Sequence, residues 1–96
     1  MSQQQYIVRA NKGKARIWLE GKRLTAAGFT QGTRYHVSHV SDGMVLGTDP
    51  EGAKKVSGKA SGPIIDLSGK GCGILATGDN VTINYFNGTI IIKLTK

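Results

Sequence analysis

Apolar and polar positions alternate with a period of two over several short stretches of this chain. Val81, Ile83 and Tyr85 alternate with Thr82 and Asn84. That is the pattern of a strand with one buried face. Tyr35, Val37 and His39 alternate in the same way with His36 and Ser38. The β-branched run Ile90-Ile91-Ile92 predicts a central strand. Arg16-Ile17-Trp18-Leu19 and Pro63-Ile64-Ile65-Asp66-Leu67 predict two more strands, Tyr6-Ile7-Val8-Arg9 an earlier one, and Lys54-Lys55-Val56-Ser57 a weak one. Asn11-Lys12-Gly13-Lys14 reads as a hairpin turn, and Asp42-Gly43 and Asn87-Gly88 as tight turns whose residues tolerate positive φ. Residues 21–29 predict about two helical turns, with Leu24, Ala27 and Phe29 facing the core and Gly28 as the stop. The stretch from Gly69 to Thr77 holds three glycines, which predicts a loop or a single turn. Residues 49–62 read as a linker plus the weak strand.

The order of these pieces occurs twice. Ile17-Trp18-Leu19-Glu20-Gly21-Lys22 returns as Ile65-Asp66-Leu67-Ser68-Gly69-Lys70, an offset of 48. Gly32 to Val37 returns as Gly78 to Ile83, an offset of 46, and Asp42-Gly43-Met44 as Asn87-Gly88-Thr89, an offset of 45. Identity between the copies is low. The shared order is strand, Gly-Lys turn, connector, Gly, strand, turn, strand. The reading is therefore one mostly-β domain of 96 residues, made of a first repeat over 1–48 and a diverged second repeat over 49–96, with one short helix in the first.

Charge adds a functional direction. The net charge is +7, with 13 Lys and Arg against 6 Asp and Glu. A surplus this large in a small domain favours a polyanionic partner. It is uneven: residues 1–48 carry seven basic and two acidic side chains, and residues 49–96 six and four. All four arginines, Arg9, Arg16, Arg23 and Arg34, stand in the first half. Between Arg9 and Arg23 lie six basic residues and a single acid, Glu20. No apolar run approaches the ~20 residues of a bilayer span, and the start of the chain lacks a signal peptide's apolar stretch. A lone Cys72 forms no internal disulfide. A reducing cytoplasm is the expected setting.

Chemistry of other kinds finds little support. His36 and His39 are three apart on one strand and point to opposite faces, so they do not share a metal. Cys72 has no base beside it in sequence, and Gly69-Lys70-Gly71-Cys72-Gly73 lacks the Lys-Ser/Thr ending of a phosphate loop. Asp66 and Asp79 form no acid–base pair, and Asp79 belongs to a turn before a strand. Neither an enzyme nor a cofactor is expected. Trp18 is read as packing rather than base stacking, and Tyr85 and Phe86 as packing on opposite sides of a strand.

The first half resembles the swapped-hairpin DNA-binding fold of the AbrB and MazE superfamily. The residues are Ile7-Val8-Arg9, Arg16-Ile17-Trp18-Leu19, Lys22-Arg23-Leu24 and Ala27-Gly28-Phe29. The run from Leu19 to Gly32, with its Leu-x-Gly-Lys-x-Leu and Ala-Gly-Phe elements, resembles the SymE toxin branch still more. The second half carries a weaker form of the same pattern. The resemblance implies two tandem swapped-hairpin repeats that interlock into a pseudo-dimeric small barrel. It also implies duplex DNA binding by basic residues near the first two strands and the following turn. Carried over, Arg9 and Arg16 match family arginines directly, while Lys12, Lys14, Lys22 and Arg23 lie close by. In the second copy Ser57 and Ile64 stand at those two arginine positions, which leaves Lys54, Lys55, Lys59 and Lys70 as its cations.

The expected nucleic-acid-binding set is thus Arg9, Lys12, Lys14, Arg16, Lys22, Arg23, Lys54 and Lys55. The expected function is duplex DNA binding, as a transcription regulator or a nucleoid-type protein, by the chain alone or as a homodimer. Two alternatives stand beside it. The SymE resemblance implies an RNA-targeting toxin of a toxin–antitoxin pair. The charge alone also fits a small inhibitor that docks on an acidic protein.

Overall fold

Two antiparallel sheets are built by interleaving the two halves of the chain. The computed structural model describes residues 2–95. Within them the strands are β1 (Ser2–Ile7), β2 (Arg9–Asn11), β3 (Lys14–Glu20), β4 (Arg34–Val40), β5 (Gly43–Thr48), β6 (Lys54–Lys55), β7 (Ser57–Lys59), β8 (Gly62–Ser68), β9 (Asn80–Phe86) and β10 (Thr89–Leu94). One short helix, α1 (Lys22–Ala26), follows β3, and a 3-10 turn (Gly69–Cys72) follows β8. The larger sheet runs β1-β9-β10-β5-β4-β6 and the smaller runs β2-β3-β8-β7. No helix among the described residues is long and apolar enough to cross a membrane.

The pairing registers carry an internal order. In the smaller sheet Trp18 lies opposite Asp66, and the pairs on either side are Ile17 with Leu67 and Leu19 with Ile65. In the larger sheet Val45 lies opposite Ile91, flanked by Leu46 with Ile90 and Met44 with Ile92. Exchanging residue i with i+48 around the first centre, and with i+46 around the second, leaves the central pair in place and maps every other pair onto its counterpart on the opposite side. The same exchange maps the strand order of each sheet onto itself, read from the other end. The offset changes where α1 gives way to the 3-10 turn. Leu24 and Cys72 are buried at equivalent places 48 apart, whereas Phe29 and Leu75 are buried 46 apart. The connector between β8 and β9 is thus two residues shorter than that between β3 and β4, and the three glycines of residues 69–77 do not hold an α-helix.

The core lies between the sheets. Ile17, Leu19, Ile65 and Leu67 of the smaller sheet face Met44, Leu46, Val81, Ile83, Ile90 and Ile92 of the larger. Leu24, Ala27 and Phe29 close one end, and Cys72 and Leu75 the other. Each of the buried Val, Leu, Ile, Met and Phe side chains among these contributes about 1.5–3 kcal/mol relative to exposure. The Phe29 ring meets Tyr35 edge to face at 5.9 Å. The alternation expected in β9 holds: Val81, Ile83 and Tyr85 are buried, and Thr82, Asn84 and Phe86 lie on the other side.

Three sequence expectations are corrected. First, Tyr6 to Arg9 is not one strand. The chain passes from the larger sheet to the smaller at Val8, which is buried and bonded to Asp79 O and Gly78 N–H at 2.9 and 2.8 Å. Val56 does the same in the second half, with Thr33 O and Gly32 N–H both at 2.9 Å. Strand β1 begins back at Ser2, in a glutamine run whose polarity hid it, because it is a sheet edge with little to bury.

Second, Asp42-Gly43 is not a positive-φ turn. Ser41 and Asp42 form the connection, and Gly43 is the first residue of β5, with no positive φ. Glycine is required there because a Cβ would collide with the backbone carbonyl of Ile92. The two-residue connections before β5 and β10 are consequently 46 positions apart and not 45. Third, residues 49–62 are less of a linker than expected, since two short strands, β6 and β7, occupy 54–55 and 57–59.

Candidate nucleic-acid interface

The β2–β3 hairpin concentrates the cations. Its two central residues, Lys12 and Gly13, have φ of 54° and 79°. Two positive φ values in a two-residue loop are the type I′ geometry that matches strand twist. Lys12 is the one non-glycine residue with positive φ among the described residues, a conformation that costs about 1–2 kcal/mol for a residue bearing a Cβ. The tight turn sets the register: Arg9 opposite Arg16, Ala10 opposite Ala15, and Asn11 opposite Lys14. Ile17 and Leu19 point inward, so Lys14, Arg16 and Trp18 point outward. Arg9 shares that outer face because it pairs directly with Arg16.

Two like charges directly opposite each other are destabilising in a sheet. Arg16 is relieved by Asp66 on β8. Its Nε donates to Oδ1 at 2.9 Å and its Nη2 to Oδ2 at 3.0 Å. The same guanidinium lies 4.6 Å from the centre of the Trp18 ring. The bond to Asp66 raises the Arg16 pKa further above its ordinary value. No carboxylate among the described residues pairs with Arg9, Lys12 or Lys14. The stem of Lys14 runs past Gly69, where a Cβ would sit 3.5 Å from its Cδ, so Lys70 in the 3-10 turn belongs to the same end of the sheet.

Beside this face runs a groove of about 410 Å³, lined by Gln4, Tyr6, Arg9, Ala10, Arg16, Trp18 and Glu20. The Tyr6 hydroxyl accepts the backbone N–H of Trp18 at 2.9 Å. This caps the edge of β3 beyond the point where β2 stops. A second recess of about 890 Å³ continues around the β1–β2 crossover, past Ile7 and Asn80.

The structure brings together Arg9, Lys12, Lys14 and Arg16, and it separates the other four expected residues from them. Lys22 and Arg23 open α1, past the far end of the seven-residue strand β3, and are therefore roughly 20 Å from the hairpin turn. Arg23 lines a small hollow with Ser2, Tyr85 and Asn87. Lys54 and Lys55 form β6, the opposite edge of the six-stranded sheet from β1. There Lys55 faces Arg34, whose Nη1 donates to Gly52 O at 3.1 Å. Lys59 lies on β7, opposite Gly62.

Sequence reasoning passed over Asp66 and Tyr6 as parts of the site, and Arg34 as the companion of Lys55. Asp66 is 50 residues from Arg16, and only the pairing of β3 with β8 joins them. The repeat alignment held the one available signal, since it sets Asp66 at the Trp18 position. Trp18, expected to pack, lies half-buried on the outer face beneath Arg16.

Other reactive groups are spoken for. Cys72 is buried, with its thiol directed at the carbonyls of Leu67 and Ala15 at 3.4 and 3.5 Å, and burial pushes its pKa up. His36 approaches Asp49 at 3.5 Å, while His39 lies against Gly73. No cluster of His, Cys, Asp or Glu among the described residues is placed to hold a metal ion. No protein-family model, curated protein or solved structure matches this chain.

Proposed function

We propose that the protein binds duplex nucleic acid, DNA in the first instance, through the basic end of the smaller sheet. One observation carries this reading. Four cations on an eight-residue hairpin, Arg9, Lys12, Lys14 and Arg16, share one end of one sheet with Lys70; among the described residues Asp66 is the one carboxylate paired with any of the four, and Glu20 stands farther along the same groove. Unpaired cations held this closely raise the potential that phosphates neutralise. A two-stranded ribbon of this kind fits the major groove of B-DNA, with flanking cations on the backbone.

The architecture proposed with it is that of two tandem swapped-hairpin repeats in a pseudo-dimeric barrel. Support comes from the paired offsets of 48 and 46 and from the two sheet crossovers at Val8 and Val56. The two halves do not present equal faces: Ser57 and Ile64 stand where Arg9 and Arg16 do. Binding is accordingly to one asymmetric site rather than to a palindrome. A cytoplasmic binding protein without catalytic chemistry, acting in transcription or DNA organisation, is the role this reading gives the chain.

Fluorescence anisotropy with a labelled random duplex, titrated across a salt series, tests it against single-stranded RNA. The expected result is duplex binding that weakens as salt rises and loses most of its affinity in the triple variant Arg9→Ala/Lys12→Ala/Lys14→Ala. Preference for RNA, or RNA degradation, would move the function to the toxin-like alternative. No binding to either at low salt would overturn the reading in favour of a protein partner.

A further inference from the structure

We propose that Arg16 is a guanine-reading residue, set in position by Asp66 and Trp18. The inference rests on the duplex-binding reading and names what that face recognises.

A guanidinium offers two edges on which a pair of donors lies parallel. In Arg16 the Nε/Nη2 edge is taken by both oxygens of Asp66, at 2.9 and 3.0 Å. One flat face is near the Trp18 ring, 4.6 Å from its centre. The end-on Nη1/Nη2 edge has no protein acceptor among the described residues, and Arg16 lines the groove shared with Arg9, Gln4 and Tyr6. The side chain is thus clamped on one edge and one face and open on the remaining edge.

The clamp has little value as a stabilising ion pair. Its partners are 29% and 38% exposed, and pairs so exposed contribute little to folding. Its physical consequence is orientation. An unclamped arginine must give up rotamer freedom to make two parallel hydrogen bonds, whereas this one is pre-set.

The clamp also selects the kind of acceptor. Asp66 lowers the positive potential at Arg16, which disfavours an anionic phosphate there relative to Arg9, Lys12 and Lys14, which have no such partner among the described residues. A neutral pair of acceptors suits a half-neutralised guanidinium better. In the major groove, O6 and N7 of guanine are such a pair at the spacing of the end-on fork. The face then divides its work: Arg9, Lys12, Lys14 and Lys70 hold phosphates, and Arg16 reads a base.

The test uses the full chain and a duplex selected from a randomised pool by the wild-type protein. Guanines in that duplex are replaced one at a time by 7-deazaguanine, which lacks the N7 acceptor, or by inosine, which keeps O6 and N7. At one position 7-deazaguanine should weaken wild-type binding by about 5- to 150-fold, while inosine leaves it within about twofold. Arg16→Met keeps most of the stem but removes every donor, and Asp66→Asn keeps the shape but weakens the clamp. Both variants should bind the guanine and 7-deazaguanine duplexes alike. Asp66→Asn should bind the unselected random duplex as tightly as wild type or more so, since it removes a negative charge. Arg9→Ala should weaken every duplex equally and keep the discrimination.

Salt-dependent binding with no sensitive guanine, or discrimination that survives in Asp66→Asn, would overturn this inference and leave the duplex-binding reading standing. Loss of random-duplex binding in Asp66→Asn would assign the pair a structural role instead. Failure of the wild-type protein to bind any duplex would overturn the underlying reading, and this one with it.

Discussion

Replacing Gly43 by alanine tests the architecture at its centre. Gly43 is paired with Val40 of β4 on one side and Lys93 of β10 on the other, two residues from the Val45–Ile91 centre of the larger sheet. An added Cβ would run into the Ile92 carbonyl and lies 2.9 Å from the Lys93 Cα. These are backbone atoms of the neighbouring strand, so no rotamer change relieves the clash and β5 must separate from β10. Overpacking in a core typically costs 1–3 kcal/mol. With backbone on both sides of the clash, the cost here belongs at the upper end, about 3 kcal/mol. For a domain of this size that is a fall in Tm of roughly 12–24 °C. Urea unfolding at unchanged m-value is the assay. A comparison identifies the cause. Gly13 has φ of 79° and open space around its Cβ position, so Gly13→Ala should cost only about 1 kcal/mol, and Gly13→Asn less, because asparagine tolerates positive φ. Gly43→Asn should be at least as harmful as Gly43→Ala. A cost below about 1 kcal/mol for Gly43→Ala, or rescue by asparagine, would mean that Gly43 is a turn glycine and that the register of β5 against β10 is wrong.

Two further perturbations probe the parts that hold the site. Tyr6→Phe leaves the backbone N–H of Trp18 without its acceptor and should cost about 1–2 kcal/mol in denaturant unfolding; an unchanged midpoint would remove Tyr6 from the support of β3. Burial pushes the pKa of Tyr35 and of Tyr85 up to about 12, from an ordinary value of 10.0. A raised pKa means that the folded state favours the protonated phenol. Their stabilising contribution is therefore complete below about pH 10 and is lost as pH rises toward about 12. Phenolate absorbance should show two tyrosines ionising late, together with unfolding, and their titration at the ordinary value in folded protein would contradict the burial.

Much of the fold was legible because half-buried strands and glycine turns write themselves into local sequence. β9 showed its alternation, β10 its β-branched run, and Lys12-Gly13 its hairpin, all within a few residues. Elements whose identity depends on distant partners were harder to see. β1 is a polar edge strand that exists by pairing with β9, some 80 residues away, and Val8 leaves its strand because a second sheet waits for it. Gly43 looked like a turn glycine because Asp-Gly is turn chemistry, while its true constraint, the Ile92 carbonyl, is in the other half of the chain. The same holds for the site. Four cations on one hairpin could be read directly, but three β-strand pairings decide that Lys54 and Lys55 lie apart from them, beside Arg34. The Arg16–Asp66 pair is hidden for the same reason, since 50 residues separate its partners.

The most direct test of the central claim is the slope of log binding constant against log salt for a random duplex. It should be measured for wild type and for two variants, one lacking the hairpin cations (Arg9→Ala/Lys12→Ala/Lys14→Ala) and one lacking the distant cluster (Arg34→Ala/Lys54→Ala/Lys55→Ala). Each phosphate contact contributes about −0.9 to that slope. The hairpin variant should lose close to three contacts' worth of slope and most of its affinity, while the distant variant keeps the wild-type slope. Equal losses in both would contradict a localised interface, and no salt-dependent binding by wild type would contradict nucleic-acid recognition altogether.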